Sequence, residues 1–78
     1  MLNTRDLNYD KDTKHFSADI SQLTGVKLSK TLLVKSQWTG KVESFKFIKK
    51  IEQFDGDGFE TVGWAYCSER FQLTIWND

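Results

Sequence analysis

The chain has no proline, and among its 78 residues it has one cysteine, one histidine and one methionine. With Cys67 alone, no disulfide can form within the chain. That excludes a disulfide-stapled secreted scaffold and makes a reducing compartment, the cytoplasm, the expected setting. Long apolar runs are also missing: Leu32-Leu33-Val34 is the longest aliphatic stretch, far short of a membrane span, so no membrane partner is expected. The N-terminus is polar and carries Asp6, Asp10 and Asp12, unlike a signal or transit peptide. No Pro/Ser/Gly-rich linker and no internal repeat divides the chain, which leaves room for a single domain.

Aromatic residues are abundant: six Phe, three Trp and two Tyr. A domain this small buries only about 60% of the surface its unfolded chain exposes, so large rings are what make a core feasible. The formal net charge is zero, but the charges are sorted. Residues 27–50 carry seven lysines against Glu43 alone, a net +6, and residues 51–78 carry six acids against Arg70 alone, a net −5. Paired strands would let these charges cancel locally, and separated strands would give two electrically different faces.

Residues 1–14 lack a sustained period and read as a loose N-terminal arm, with Leu2, Leu7 and Tyr9 available to pin it to the body. From residue 15 to residue 78 the pattern is that of one small β domain. Phe16 to Ile20 alternates apolar and polar, and Ser21, Thr24 and Gly25 supply turn chemistry. Thr31 to Trp38 forms the next strand, with Leu32, Val34 and Trp38 on one face, and Thr39-Gly40 makes a tight connection. Val42 to Phe54 is ambiguous. Phe45 and Phe47 alternate as in a strand, whereas Phe47, Ile48, Ile51 and Phe54 also fit one face of a helix, which would make the fold α+β. Strand propensity and the hairpin-like loop that follows favour a long strand with a bulge or bend near Ile48–Lys50. Phe59 to Cys67 and Arg70 to Asn77 complete an all-β, five-stranded antiparallel meander, bent into a half-open barrel.

Several of these pieces occur together. A Phe-x-Ala-x-Ile-Ser strand at 16–21 precedes an apolar strand running into Thr39-Gly40-Lys41. A Phe-rich strand, an acidic Gly loop, an aromatic strand around Trp64-Ala65-Tyr66 and a terminal Leu73-Thr74-Ile75-Trp76-Asn77-Asp78 follow. From Phe16 onward the chain resembles small bacteriophage- and prophage-encoded β proteins of unknown function. The resemblance implies a compact β domain in a mobile-element setting and carries no site residues.

Chemistry-bearing motifs are sparse. Asp55-Gly56-Asp57-Gly58-Phe59-Glu60 has alternating carboxylates, but Phe59 stands where a third calcium ligand belongs, so a hairpin loop is the simpler account. Cys67 and His15 offer one thiol and one imidazole. That is too few for a redundant zinc site, and Cys67 reads as a small strand hydrophobe. No nucleophile elbow or phosphate-cradling glycine loop is present. No catalytic residues, cofactor, metal or small-molecule substrate are therefore assigned, and the expectation is a protein that is not an enzyme.

Two surfaces remain. Trp64, Tyr66 and Trp76 are candidate apolar anchors for a protein partner or a second copy of the chain, though rings of this kind also serve as core. Lys35, Trp38, Lys41, Lys46, Lys49 and Lys50 combine cations with an aromatic ring, as small β barrels do when they bind single-stranded nucleic acid. A protein–protein interaction module ranks first, in the setting of a phage accessory protein, and a nucleic-acid-binding module second.

Overall fold

A computed structural model describes residues 1–23, 25–37 and 39–77. The roles expected of Thr24, Trp38 and Asp78 lie outside the described residues. Among the described residues seven strands form one sheet: β1 (Leu2–Asn3), β2 (Asn8–Asp10), β3 (His15–Asp19), β4 (Thr31–Lys35), β5 (Val42–Phe54), β6 (Glu60–Cys67) and β7 (Gln72–Asn77). Their spatial order is β1-β4-β5-β6-β7-β3-β2. The fold is all-β, as the alternating patterns predict, but it has seven strands rather than five. It is also not wholly antiparallel, because β1 runs parallel to β4 and β3 parallel to β7.

The two unforeseen strands lie in the segment read as a loose arm. Leu2 and Leu7 are buried there, and Thr4 in the intervening 3-10 turn (Thr4–Asp6) is only 2% exposed. Its hydroxyl accepts the Gln37 N–H at 2.7 Å. Strands of two and three residues are too short to show a period, so sequence alternation could not reveal them. Their placement dictates the curl of the sheet. The five peptide steps from Asn3 to Asn8 reach at most about 18 Å. The edges of seven flat strands would stand about 29 Å apart. Because β1 caps one edge and β2 the other, the sheet must bend into an open half-barrel with the N-terminal segment across its mouth.

The concave face holds the core: Leu2, Leu7, Phe16, Ala18, Leu23, Leu32, Val34, Phe45, Tyr66, Leu73 and Ile75. Tyr9 stacks on Phe16 at 4.6 Å between centroids, and Phe71 and Phe45 meet Phe16 edge-on at 5.3 and 6.4 Å. The ambiguous segment is a strand of 13 residues, Val42–Phe54. Its register against β6 shifts between Phe47 and Lys49, so the extra residue sits where the bend was expected. The helical reading of 44–54 is thereby corrected: its β-branched and aromatic residues pair along β6 over nearly the whole segment, and with β4 as well as far as Lys46, instead of forming a helix face.

Candidate functional site

β4 covers β5 only from Val42 to Lys46, and the Phe47 N–H closes that contact on the Lys30 carbonyl at 2.8 Å. β7 covers β6 only from Val62 to Cys67. Beyond Phe47 the outer edge of β5 is open while its inner edge stays paired with β6 from Lys49↔Ala65 to Phe54↔Glu60, and past Val62 the β5–β6 ribbon is two-stranded, through Gln53↔Thr61 and Phe54↔Glu60. Its tip is tied by Asp55, whose carboxylate Oδ1 accepts the N–H of Asp57 at 3.0 Å and of Phe59 at 2.9 Å. Gly58 takes φ +85° in this loop, a conformation open to glycine at little cost. The acidic loop is thus a self-organised hairpin turn.

Large apolar side chains stand out along the ribbon: Phe47 is 40% exposed, Ile48 54%, Phe54 70% and Phe59 70%. Sequence reading placed them in a strand or helix but did not predict their exposure. That depends on how far β4 and β7 reach, and only the register reveals it.

The expected anchor trio is divided. Tyr66 faces Leu73 and Trp64 faces Ile75, so both lie on the concave side, and Tyr66 is only 1% exposed. Its ring meets Phe47 edge-on at 5.5 Å, and burial pushes its phenol pKa up. As a candidate contact residue Tyr66 is therefore corrected to core. Half-buried Trp64 lines a shallow groove with Leu28, Lys30 and Phe47. Trp76 pairs with Gly63 and points to the convex face, where its ring covers that glycine. The Trp64–Trp76 patch does not form, because adjacent positions along a strand point to opposite faces.

The lysines are likewise dispersed. Lys35, Lys46 and Lys49 are exposed and share the convex face through the pairs Lys35↔Val42, Thr31↔Lys46 and Lys49↔Ala65. Lys50 pairs with Trp64 on the other face and forms an ion pair with Glu52 at 3.5 Å. Lys41 lies at the far end, beside a cleft. Trp38 lies outside the described residues.

That cleft, about 110 Å³, has Tyr9, Phe16, Phe45 and Phe71 as its apolar floor and Lys41, Glu43 and Arg70 around its rim. Sites that hold drug-sized ligands measure roughly 300–1,000 Å³, so this one accommodates a single side chain at most. At the rim Arg70 donates to the Glu43 carboxylate at 2.7 Å and lies 5.2 Å from the Phe71 ring centroid. The Arg70 hydrogen bond holds the Glu43 carboxyl below its ordinary value, partial burial opposes the shift, and the positive charge and Ser68 add to it.

Cys67 and His15 both pair with Gln72, from opposite sides. Two interstrand spacings, about 10 Å, therefore separate them. His15 Nε2 is instead hydrogen-bonded to the Thr74 hydroxyl at 2.7 Å. Among the described residues no cluster of three or more His, Cys, Asp or Glu could hold a metal ion, and no helix is long and apolar enough to cross a membrane. No protein-family model, curated protein or solved structure matches the chain.

Proposed function

We propose that this chain is a non-enzymatic protein–protein interaction module and that the β5–β6 ribbon is its contact surface. The observation that carries this reading is the gathering of Phe47, Ile48, Phe54 and Phe59 on one projecting hairpin whose β5 edge is uncovered beyond Phe47. Large apolar side chains exposed at the base (Phe47, Ile48) and the tip (Phe54, Phe59) of one strand pair offer contact points to a partner, and an open strand edge adds main-chain donors and acceptors to them. Trp64 joins Phe47 at the base of the ribbon, and the convex-face lysines Lys35, Lys46 and Lys49 supply steering charge. The resemblance to phage-encoded β proteins supports an accessory role exercised on a host protein.

The experiment is a pull-down of tagged protein, co-expressed with an untagged copy, from nuclease-treated source-cell lysate. A stoichiometric protein is expected to be retained, and it should be lost with Phe54→Ser/Phe59→Ser. Retention by that variant would sink the ribbon as the contact surface. Bound material that disappears with nuclease would favour the second reading, nucleic-acid binding. The shared convex face of Lys35, Lys46 and Lys49 supports that alternative.

A further inference from the structure

Resting on the interaction reading, we infer that the partner of the β5 edge is a second copy of this chain, paired antiparallel about a two-fold axis at Ile51. The free backbone groups of the β5 edge limit how a second strand can pair with it. Asp55 directs its N–H to the Phe59 carbonyl across the hairpin at 3.0 Å. Main-chain groups alternate sides along an antiparallel strand. Gln53, Ile51 and Lys49 therefore face β6, while Phe54, Glu52 and Lys50 point their N–H and C=O to the open edge. A second β5 edge can hydrogen-bond there only if an outward residue meets an outward residue.

Several registers meet that condition, and charge selects among them. Centring the axis on Lys50 sets two lysines against each other, and centring it on Glu52 sets two glutamates against each other. Like charges directly opposite are destabilising. Centring on Ile51 places Lys50 opposite Glu52 of the other copy, twice, and brings exposed Ile48 opposite exposed Phe54, also twice. The 3.5 Å ion pair already formed by Lys50 and Glu52 places both side chains on one face. An axis perpendicular to the sheet keeps that face common to both copies, so each lysine meets its opposite glutamate. The interface is isologous and closes on itself, and the lysines that guard the edge in other registers become its contacts in this one.

The test is a charge exchange read by analytical ultracentrifugation, with thermal melts confirming that each variant is folded. Wild-type protein is expected to form a dimer whose affinity falls with salt. Lys50→Glu and Glu52→Lys should each weaken self-association roughly 10- to 100-fold, because two attractive pairs become repulsive. An equimolar mixture of these two variants should form a 1:1 heterodimer. The intramolecular ion pair is broken in both, so only pairing between copies restores complementarity. Ile51→Cys in a Cys67→Ser background should oxidise to a covalent dimer, since facing strand residues at a two-fold lie within disulfide reach.

A wild-type monomer at all concentrations, single variants that dimerise normally, or a mixture that stays monomeric would each overturn the inference. Cross-linking through Gln53→Cys in place of Ile51→Cys would also overturn it. A monomer whose Phe54→Ser/Phe59→Ser variant loses a captured protein would remove self-pairing and leave the interaction reading standing. A monomer with no ribbon-dependent capture would remove both.

Discussion

Gly63→Ala tests whether the convex face is packed as described. Gly63 pairs with Trp76, and a methyl group built on it would lie 2.5 Å from Cε3 and 2.6 Å from Cζ3 of that indole. Carbon atoms in contact prefer about 3.5–4.0 Å, so the ring must move by about 1 Å or rotate away. Overfilling of this kind costs roughly 1–3 kcal/mol. Alanine recovers roughly 0.5–1 kcal/mol relative to glycine within a strand, because the unfolded chain has less freedom to lose. The net expectation is a destabilisation of about 1–2 kcal/mol, which lowers Tm by roughly 4–16 °C in a domain of this size. With Trp76→Ala the obstruction is gone, and the same Gly63→Ala substitution should then stabilise by about 0.5 kcal/mol. Urea and thermal melts of the four proteins in this cycle measure both numbers. An equal cost of Gly63→Ala in the two backgrounds would refute indole-over-glycine packing.

Three further outcomes follow from the core and the rim. Tyr66→Ala should cost about 3–5 kcal/mol, a large share of the roughly 4–12 kcal/mol available to a chain this long, and should lower Tm steeply or abolish the cooperative melt. A well-folded variant would mean that the ring is not core. Thr4→Val keeps the shape but leaves the Gln37 N–H without its acceptor, an expected loss of about 1–2 kcal/mol by urea titration. Thr4→Ser should retain that bond. Because the folded-state Glu43 carboxyl lies below its ordinary value of 4.5, its contribution should be present above that pH and fade as pH falls through the folded value. The stability difference between wild type and Glu43→Gln should therefore shrink on acidification, and a difference that grows would contradict the Arg70 pairing.

Much of the fold was legible because period-two alternation is a local property. Phe16/Ala18, Leu32/Val34 and Leu73/Ile75 announce strands, and each pair is buried on the concave face. The bulge near Ile48 was legible as well, since the apolar pattern slips by one residue there. β1 and β2 were not, because strands this short show no period of their own, and β1 finds its partner only in β4, far along the chain. The lysine-rich segment and the aromatic residues were visible as composition, but composition cannot assign a face. One residue of displacement puts Trp76 on the convex side, away from Trp64, and one pairing buries Tyr66.

By itself, then, the sequence determined a mostly β chain, the absence of an intrachain disulfide, the approximate location of five strands, with 44–54 open between strand and helix, and the residue types available for contact. The tertiary structure alone decided that the N-terminal segment spans the mouth of a half-barrel and that β5 and β6 outrun their neighbours. It also decided which aromatic side chains are left exposed. The physical reason is that burial and edge exposure depend on strand length relative to a neighbour, and no single segment encodes that comparison.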